Sequence, residues 1–315
     1  MTTAPPIATE DMIVSPVPPT PVHDERPMFA IGLRLVSAVL VSIMFVTAKM
    51  AAGHGVHIVE SVFYRQAIAC PIVLAWSAYA TGLGALRTNR IRIHMSRTVI
   101  GVTGMTLNFG AFILLPVAEA TAMGFMVPVI GAIMSALLLR EPTGIHRWTA
   151  VIVGFVGVLV VIQPGRGAAF PPLGLALSIA AAIMTALVAI FLRSLGRTEG
   201  ASTTVFWFTA LSVPPLGIGM LFFGQAHDAA TWGLLVIIGV SGGLAQLCMT
   251  GALKFAPVSV VLPMDYSSLI WMTLLGWEFF GEWPGDTTWI GAVLIVGSGL
   301  YIAWREHVRG RIRPV

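Results

Sequence analysis

The chain has 315 residues, of which 57% are hydrophobic and only 10% charged, and its mean hydropathy is +0.88. A soluble domain carries roughly a quarter charged residues to wet its surface, so this composition excludes an ordinary water-soluble globule. The formal charge of +4 does not indicate nucleic-acid binding, because Lys and Arg gather in the cytoplasmic loops of membrane proteins.

Residues 1–27 hold Pro5, Pro6, Pro16, Pro18, Pro19, Pro21 and Pro27 and no apolar periodicity, which predicts a disordered arm. The arm lacks the basic start, apolar centre and small-residue site of a secretory signal, so the first apolar segment is expected to be a retained helix. Ten apolar runs follow, at about 29–51, 58–80, 98–116, 120–139, 146–163, 172–193, 203–223, 231–252, 257–280 and 287–304. About 20 apolar residues span a hydrocarbon core as helix, and the runs are continuous rather than alternating, which favours helices over a β-barrel. Short breakers separate them: AAGHGVH, EPTG and QPGRGAAFPP. With the N-terminus inside, the inner regions collect Arg87, Arg90, Arg92, Arg97, Arg140, Arg147, Arg193, Arg197 and Lys254, while the outer loops hold only Arg166. That bias predicts both termini in the cytoplasm, with residues 306–315 a basic tail.

The chain also repeats itself. A shift of 141 residues carries Pro116-Val117 onto Pro257-Val258, Glu141 onto Glu282, Gly144 onto Gly285, Trp148 onto Trp289 and Gly101 onto Gly242. One unbroken offset across two spans and their loop predicts two halves, residues 28–165 and 171–305. Five spans per half is an odd number, so the second half should sit inverted relative to the first. Inverted repeats mark secondary transporters, which bind substrate near the midplane between halves.

Three stretches carry a resemblance. LPVAEATAMGFMVPVIGAIMSALLLRE, with the helix ending VVIQPG, resembles the first EamA unit of the drug/metabolite transporter superfamily. KFAPVSVVLPMDYSSLIWMTLLGWEFFGE, followed by WIGAVLIVGSGLYIAWRE, resembles the second, and the E-x-x-F-x-R of Glu60, Phe63 and Arg65 is also similar to that superfamily. The resemblance covers residues 29–305 and implies a ten-helix carrier of the bacterial inner membrane, without an ATPase domain, moving small metabolites.

Within the spans, ionisable residues are the first candidates for function. Arg65 lies about 10 Å below the outer surface at 1.5 Å per residue. It is either a tie that hydrogen-bonds carbonyls or Glu60, or an anchor whose planar fork holds a carboxylate or phosphate. Asp265 has no cation within reach on its own helix. It either bonds a neighbouring Ser, Tyr266 or backbone, or acts as a proton-coupling carboxylate, a partner for Arg65 or a partner for a substrate amine. Lys49 and Glu60 are expected to pair across the first hairpin, unless Lys49 snorkels. Glu119, Glu141 and Glu282 are expected to cap or hinge helix ends.

Asn108 sits mid-helix with Gly104 on the same face, and Gln246 follows Gly239 and Gly243 at a spacing that ordinarily means close helix packing. Pro128 should interrupt the fourth span near its middle, as a static bend or a gate, with Pro116 and Pro257 as further hinge candidates. Phe63, Tyr64, Met123, Phe125, Met126, Tyr266 and Trp271 surround these polar positions and would suit an amphipathic or aromatic metabolite.

The sequence has no P-loop, GxSxG or HExxH motif, and its seven histidines are expected in loops or tails, so no cofactor, metal or histidine proton relay is predicted. Cys70 and Cys248 are read as small buried hydrophobes. The leading expectation is a secondary carrier exporting small metabolites such as amino acids, with protons as the coupling ion considered and the chain a monomer or homodimer in the bilayer. The alternatives are a nucleoside-like or vitamin carrier (S-adenosylmethionine, riboflavin), a flippase for lipid-linked substrates and, last, an integral-membrane enzyme.

Overall fold

The computed structural model describes residues 26–138, 145–163, 170–195, 198–256 and 258–312, and among these every regular element is helical. In chain order the helices are α1 (Pro27–Gly53), α2 (Ile58–Ala80), α3 (Ile91–Leu114), α4 (Val117–Gly124), α5 (Val127–Leu138), α6 (Ile145–Ile162), α7 (Pro172–Leu195), α8 (Ala201–Phe223), α9 (Ala229–Phe255), α10 (Val258–Val261), α11 (Ser268–Phe280) and α12 (Asp286–Ile312). Seven helical stretches among the described residues are long and apolar enough to cross a membrane. Large apolar side chains such as Ile152, Phe155, Leu221, Phe222 and Val293 stand on the outer surface, where a water-soluble protein would expose few in one patch. This is a multi-pass membrane protein.

Two predicted spans are interrupted. The fourth is broken between α4 and α5 at Phe125 and Met126, and the ninth passes from α10 through a 3-10 stretch, Leu262–Ser267, into α11. Pro128 therefore does not kink a continuous helix. It lies in the first turn of α5, where its missing N–H removes no intrahelical bond. The third span also differs: α3 starts at Ile91, seven residues before the expected start at 98, so His94 and Arg97 lie inside a helix. His94 is buried against Glu199, which corrects the placement of all histidines in loops or tails.

Helix ends follow local chemistry. Val59 N–H donates to His57 Nδ1 (3.2 Å) and His57 N–H donates to Glu60 Oε2 (2.9 Å), closing the start of α2. Asp228 caps α9 by accepting from the Thr231 N–H at 3.0 Å. Those bonds to Thr231 hold the Asp228 carboxyl below its usual range. Gly281, at φ +66°, ends α11 in the left-handed conformation that a side chain would resist.

The helices pack chiefly across the two halves: α1 along α9, α3 along α7, α2 against both α8 and α9, and α6 against α12. The largest core cluster, including Met44, Phe45, Val62, Phe109, Phe112, Leu216, Leu235 and Met272, draws on both halves. Glycine permits the closest of these approaches. A Cβ on Gly239 of α9 would lie 2.5 Å from Ile68 Cβ and 2.9 Å from the Tyr64 carbonyl oxygen of α2. One on Gly291 of α12 would lie 2.6 Å from the Gly157 carbonyl oxygen of α6.

Candidate functional site

Among the described residues the basic side chains Arg34, Lys49, Arg65 and Arg97 enter the helical body, and the structure treats them in two ways. Arg34, the only charged residue between Pro27 and Lys49, is buried on α1 and grips Asp265 through both Nε and Nη2. The fork matches the two carboxylate oxygens, which is the geometry that makes Arg–carboxylate pairs strong. Asp265 therefore pairs with Arg34 and not with Arg65. Its partner is a cation from the first helix, one not singled out among the sequence candidates. The usable signal was its isolation within an apolar span.

Fifteen residues further along α1, about 22 Å by helical rise, Lys49 Nζ donates to Glu282 Oε1 (2.6 Å) and to the Leu115 carbonyl (2.8 Å). Glu282 Oε2 accepts from the Val117 N–H at 3.0 Å, so one carboxylate ties α1, the start of α4 and the turn after α11. The expected Lys49–Glu60 pair is not formed. Glu60 is fully buried and accepts from the His57 and Gln225 N–H groups, both at 2.9 Å, with His227 Nε2 at 3.1 Å. The reason is geometric: the α8–α9 connection covers the start of α2 and supplies its partners, while α11 delivers an acid to Lys49. Glu119 accepts from Thr288 Oγ1 (3.0 Å), bridging α4 to α12.

Arg65 and Arg97 are different. Both are only 6% exposed, and neither meets a carboxylate among the described residues. Arg65 donates through Nη1 to Gln66 Oε1 and through Nη2, at 3.5 Å, to Gln246 Oε1. Both acceptors are neutral amides. Its Nε has no partner, and a Cβ on Gly242 of α9 would come within 3.1 Å of that nitrogen. Arg97 lies with Cζ 3.8 Å from the ring centroid of Phe208 on α8, while its Nε and Nη1 are buried without partners. Its helix packs on α2, which carries Arg65. Each arginine is followed in sequence by another buried group with an unused polar atom, Gln66 Nε2 and Thr98 Oγ1.

The interrupted helices supply the aromatic part. Phe125, at the α4–α5 break, packs edge-on against Tyr266 of the 3-10 stretch, with ring centroids 4.9 Å apart. Met126 is buried in the cluster of Met123, Ile130, Val158 and Ile295. Asn108 is half-buried on α3 and makes no hydrogen bond among the described residues. Tyr64 stacks edge-on with Trp232 at 5.1 Å. Trp271 points outward on α11, 36% exposed, away from the others. Pro116 caps α4, whereas Pro257 and Glu141 lie outside the described residues. Among the described residues no cluster of His, Cys, Asp and Glu could hold a metal ion.

A multi-pass body, helical throughout its described residues and with charged groups held inside, defines an integral membrane protein. The model of the EamA-like transporter family matches the chain twice, over residues 28–163 and 172–304. This chain belongs to that family, within the drug/metabolite transporter superfamily. Its relatives include the riboflavin transporter of Vibrio cholerae, 30% identical over 78% of this chain and 83% of that protein. The S-adenosylmethionine uptake transporter of Rickettsia prowazekii is 28% identical over 86% and 91% of the two chains. The pseudopaline exporter of Pseudomonas aeruginosa is 28% identical over 75% and 83%. A solved crystal structure shares the fold with a TM-score of 0.61 at 19% identity, over 90% of this chain and 99% of the other.

Proposed function

We propose that this chain is a secondary active transporter that moves a small, ring-bearing amphipathic metabolite across the inner membrane by alternating access. The observation that carries the reading is the meeting of the two interrupted spans. Discontinuous helices at corresponding positions of two repeats are where carriers of this design place their substrate. The same 141-residue shift that relates the halves takes Phe125 onto Tyr266, and these two rings touch. Residues exchanged by a twofold axis can touch only near that axis. The pairing of α1 with α9 and of α3 with α7 supports the same inverted arrangement, because each pair maps onto the other when the halves are exchanged.

In this mechanism the two ends of α11 act as gates. Asp265 precedes α11 and binds Arg34, and Glu282 follows it and binds Lys49, so one short helix is latched to both ends of α1. With the N-terminus cytoplasmic, the Arg34 latch closes the inner side and the Lys49 latch the outer. Breaking one while keeping the other opens the centre to one face at a time. Phe125, Met126, Tyr266 and Asn108 then contact the ring system, and Arg65 holds an anionic group.

The relatives' names favour bulky metabolites of the riboflavin or S-adenosylmethionine kind over simple amino acids, and they include both uptake and export proteins. Counterflow in proteoliposomes, with labelled amino acids, nucleosides, riboflavin, riboflavin 5′-phosphate and S-adenosylmethionine, tests the reading. Trans-stimulated flux of one compound is expected. A folded, reconstituted protein that exchanges none of them would contradict it.

A further inference from the structure

We infer that Arg65 and Arg97 together form a binding site for an anionic group and select cargo of net negative charge. This rests on the carrier reading above and narrows its substrate class. A buried cation with no counter-charge is costly, and this chain keeps two of them, on α2 and α3, helices that pack on each other.

The groups around them are almost all donors. Arg65 Nε, Arg97 Nε and Nη1, and Gln66 Nε2 are buried with nothing to donate to, and the Thr98 hydroxyl is also unused. Elsewhere in the same molecule the buried cations Arg34 and Lys49 are matched by carboxylates at short range, so the lack of acids here is not a general habit of the fold. What completes such a set is an acceptor with two or more oxygens, a carboxylate or a phosphate. Arg presents the planar fork that suits either.

Glycines let these side chains pack in. Gly242 faces Arg65, and Gly101 faces the Phe208 ring that carries Arg97. The 141-residue shift maps these two glycines onto each other, so each half contributes one relief beside one arginine. The consequence is a sign of selection: a neutral flavin leaves the pair uncompensated, whereas a phosphorylated or carboxylated analogue neutralises it.

The test uses the full chain in detergent, with unfolding followed by intrinsic fluorescence, at constant ionic strength. The probes are inorganic phosphate, citrate and riboflavin 5′-phosphate, set against riboflavin. The expected result is that at least one anion raises the unfolding temperature by several degrees, and that its apparent affinity falls about tenfold or more in Arg65→Gln and in Arg97→Gln (loss of a charge-assisted hydrogen bond). Arg97→Lys should retain part of it. Without any probe both glutamine variants should unfold at or above the wild-type temperature, because an uncompensated charge has been removed. A merely structural tie would show the reverse.

The inference is overturned if no anion protects, if riboflavin protects as well as riboflavin 5′-phosphate, or if protection survives in the double glutamine variant. Reconstituted protein separates this from the carrier reading. Anion protection without flux keeps the arginine pair and removes the carrier. Flux of a neutral compound at the wild-type rate in Arg97→Gln keeps the carrier and removes the pair.

Discussion

Arg34 and Lys49 on α1 and Arg65 and Arg97 on α2 and α3 are all cations drawn into an apolar body, yet only the first two are given counter-charges. The acids that serve them sit immediately before and after one helix, α11, so pairing is concentrated along a single seam between the halves. The second pair faces amides and an aromatic ring. A paired buried charge fixes geometry, and an unpaired one is a standing demand for a ligand. On this account the seam governs which face is open, and the unpaired arginines govern what is carried.

The comparison is broken most sharply at the arginines. Arg65→Gln should lower transport about 30- to 100-fold while the folded yield is kept, the effect of losing a hydrogen bond to a charged group worth about 2–3 kcal/mol. Size-exclusion profiles beside initial rates would check it.

The seam should respond asymmetrically. Asp265→Asn strands the guanidinium of Arg34, whose side chain is 7% exposed, while Arg34→Gln leaves a carboxylate that is 40% exposed and can be hydrated. The first should cost about 2 kcal/mol and the second about half that, after discounting the exposed partner. Arg34→Gln with Asp265→Asn should recover most of the loss, and a double-mutant cycle on thermal unfolding would read the coupling.

Smaller effects follow at packing and at the surface. Gly239→Ala should cost about 1–3 kcal/mol, because its Cβ would press into Ile68 and part α2 from α9. Trp271→Ala should leave both stability and transport within about 0.5 kcal/mol, since the side chain faces outward and touches neither pair.

The class of fold was legible in the sequence because lipid imposes long apolar helices, and the doubling was legible because one offset held over two spans. The breaks were harder to see. Pro128 announced irregularity, but whether a proline bends a helix or opens its next segment depends on where the preceding turn ends. Arg97 was missed for a boundary reason. Starting the third span at 98 left it in a loop, whereas α3 begins at Ile91 and carries it inside. Lys49 was matched to Glu60, the nearest acid in sequence, because chain neighbours can be read from one sequence. Glu282 lies 233 residues away, and only the packing of α11 on α1 brings it there. Arg65 stood out for the opposite reason: a cation in the middle of an apolar run needs no structure to be noticed.

The most direct single measurement is counterflow in proteoliposomes for the wild type and Arg65→Gln, across the labelled panel, with and without an imposed proton gradient. The account predicts exchange of one compound by the wild type and its loss in a folded Arg65→Gln protein. Equal exchange by both proteins would contradict it and make Arg65 a tie between α2 and α9.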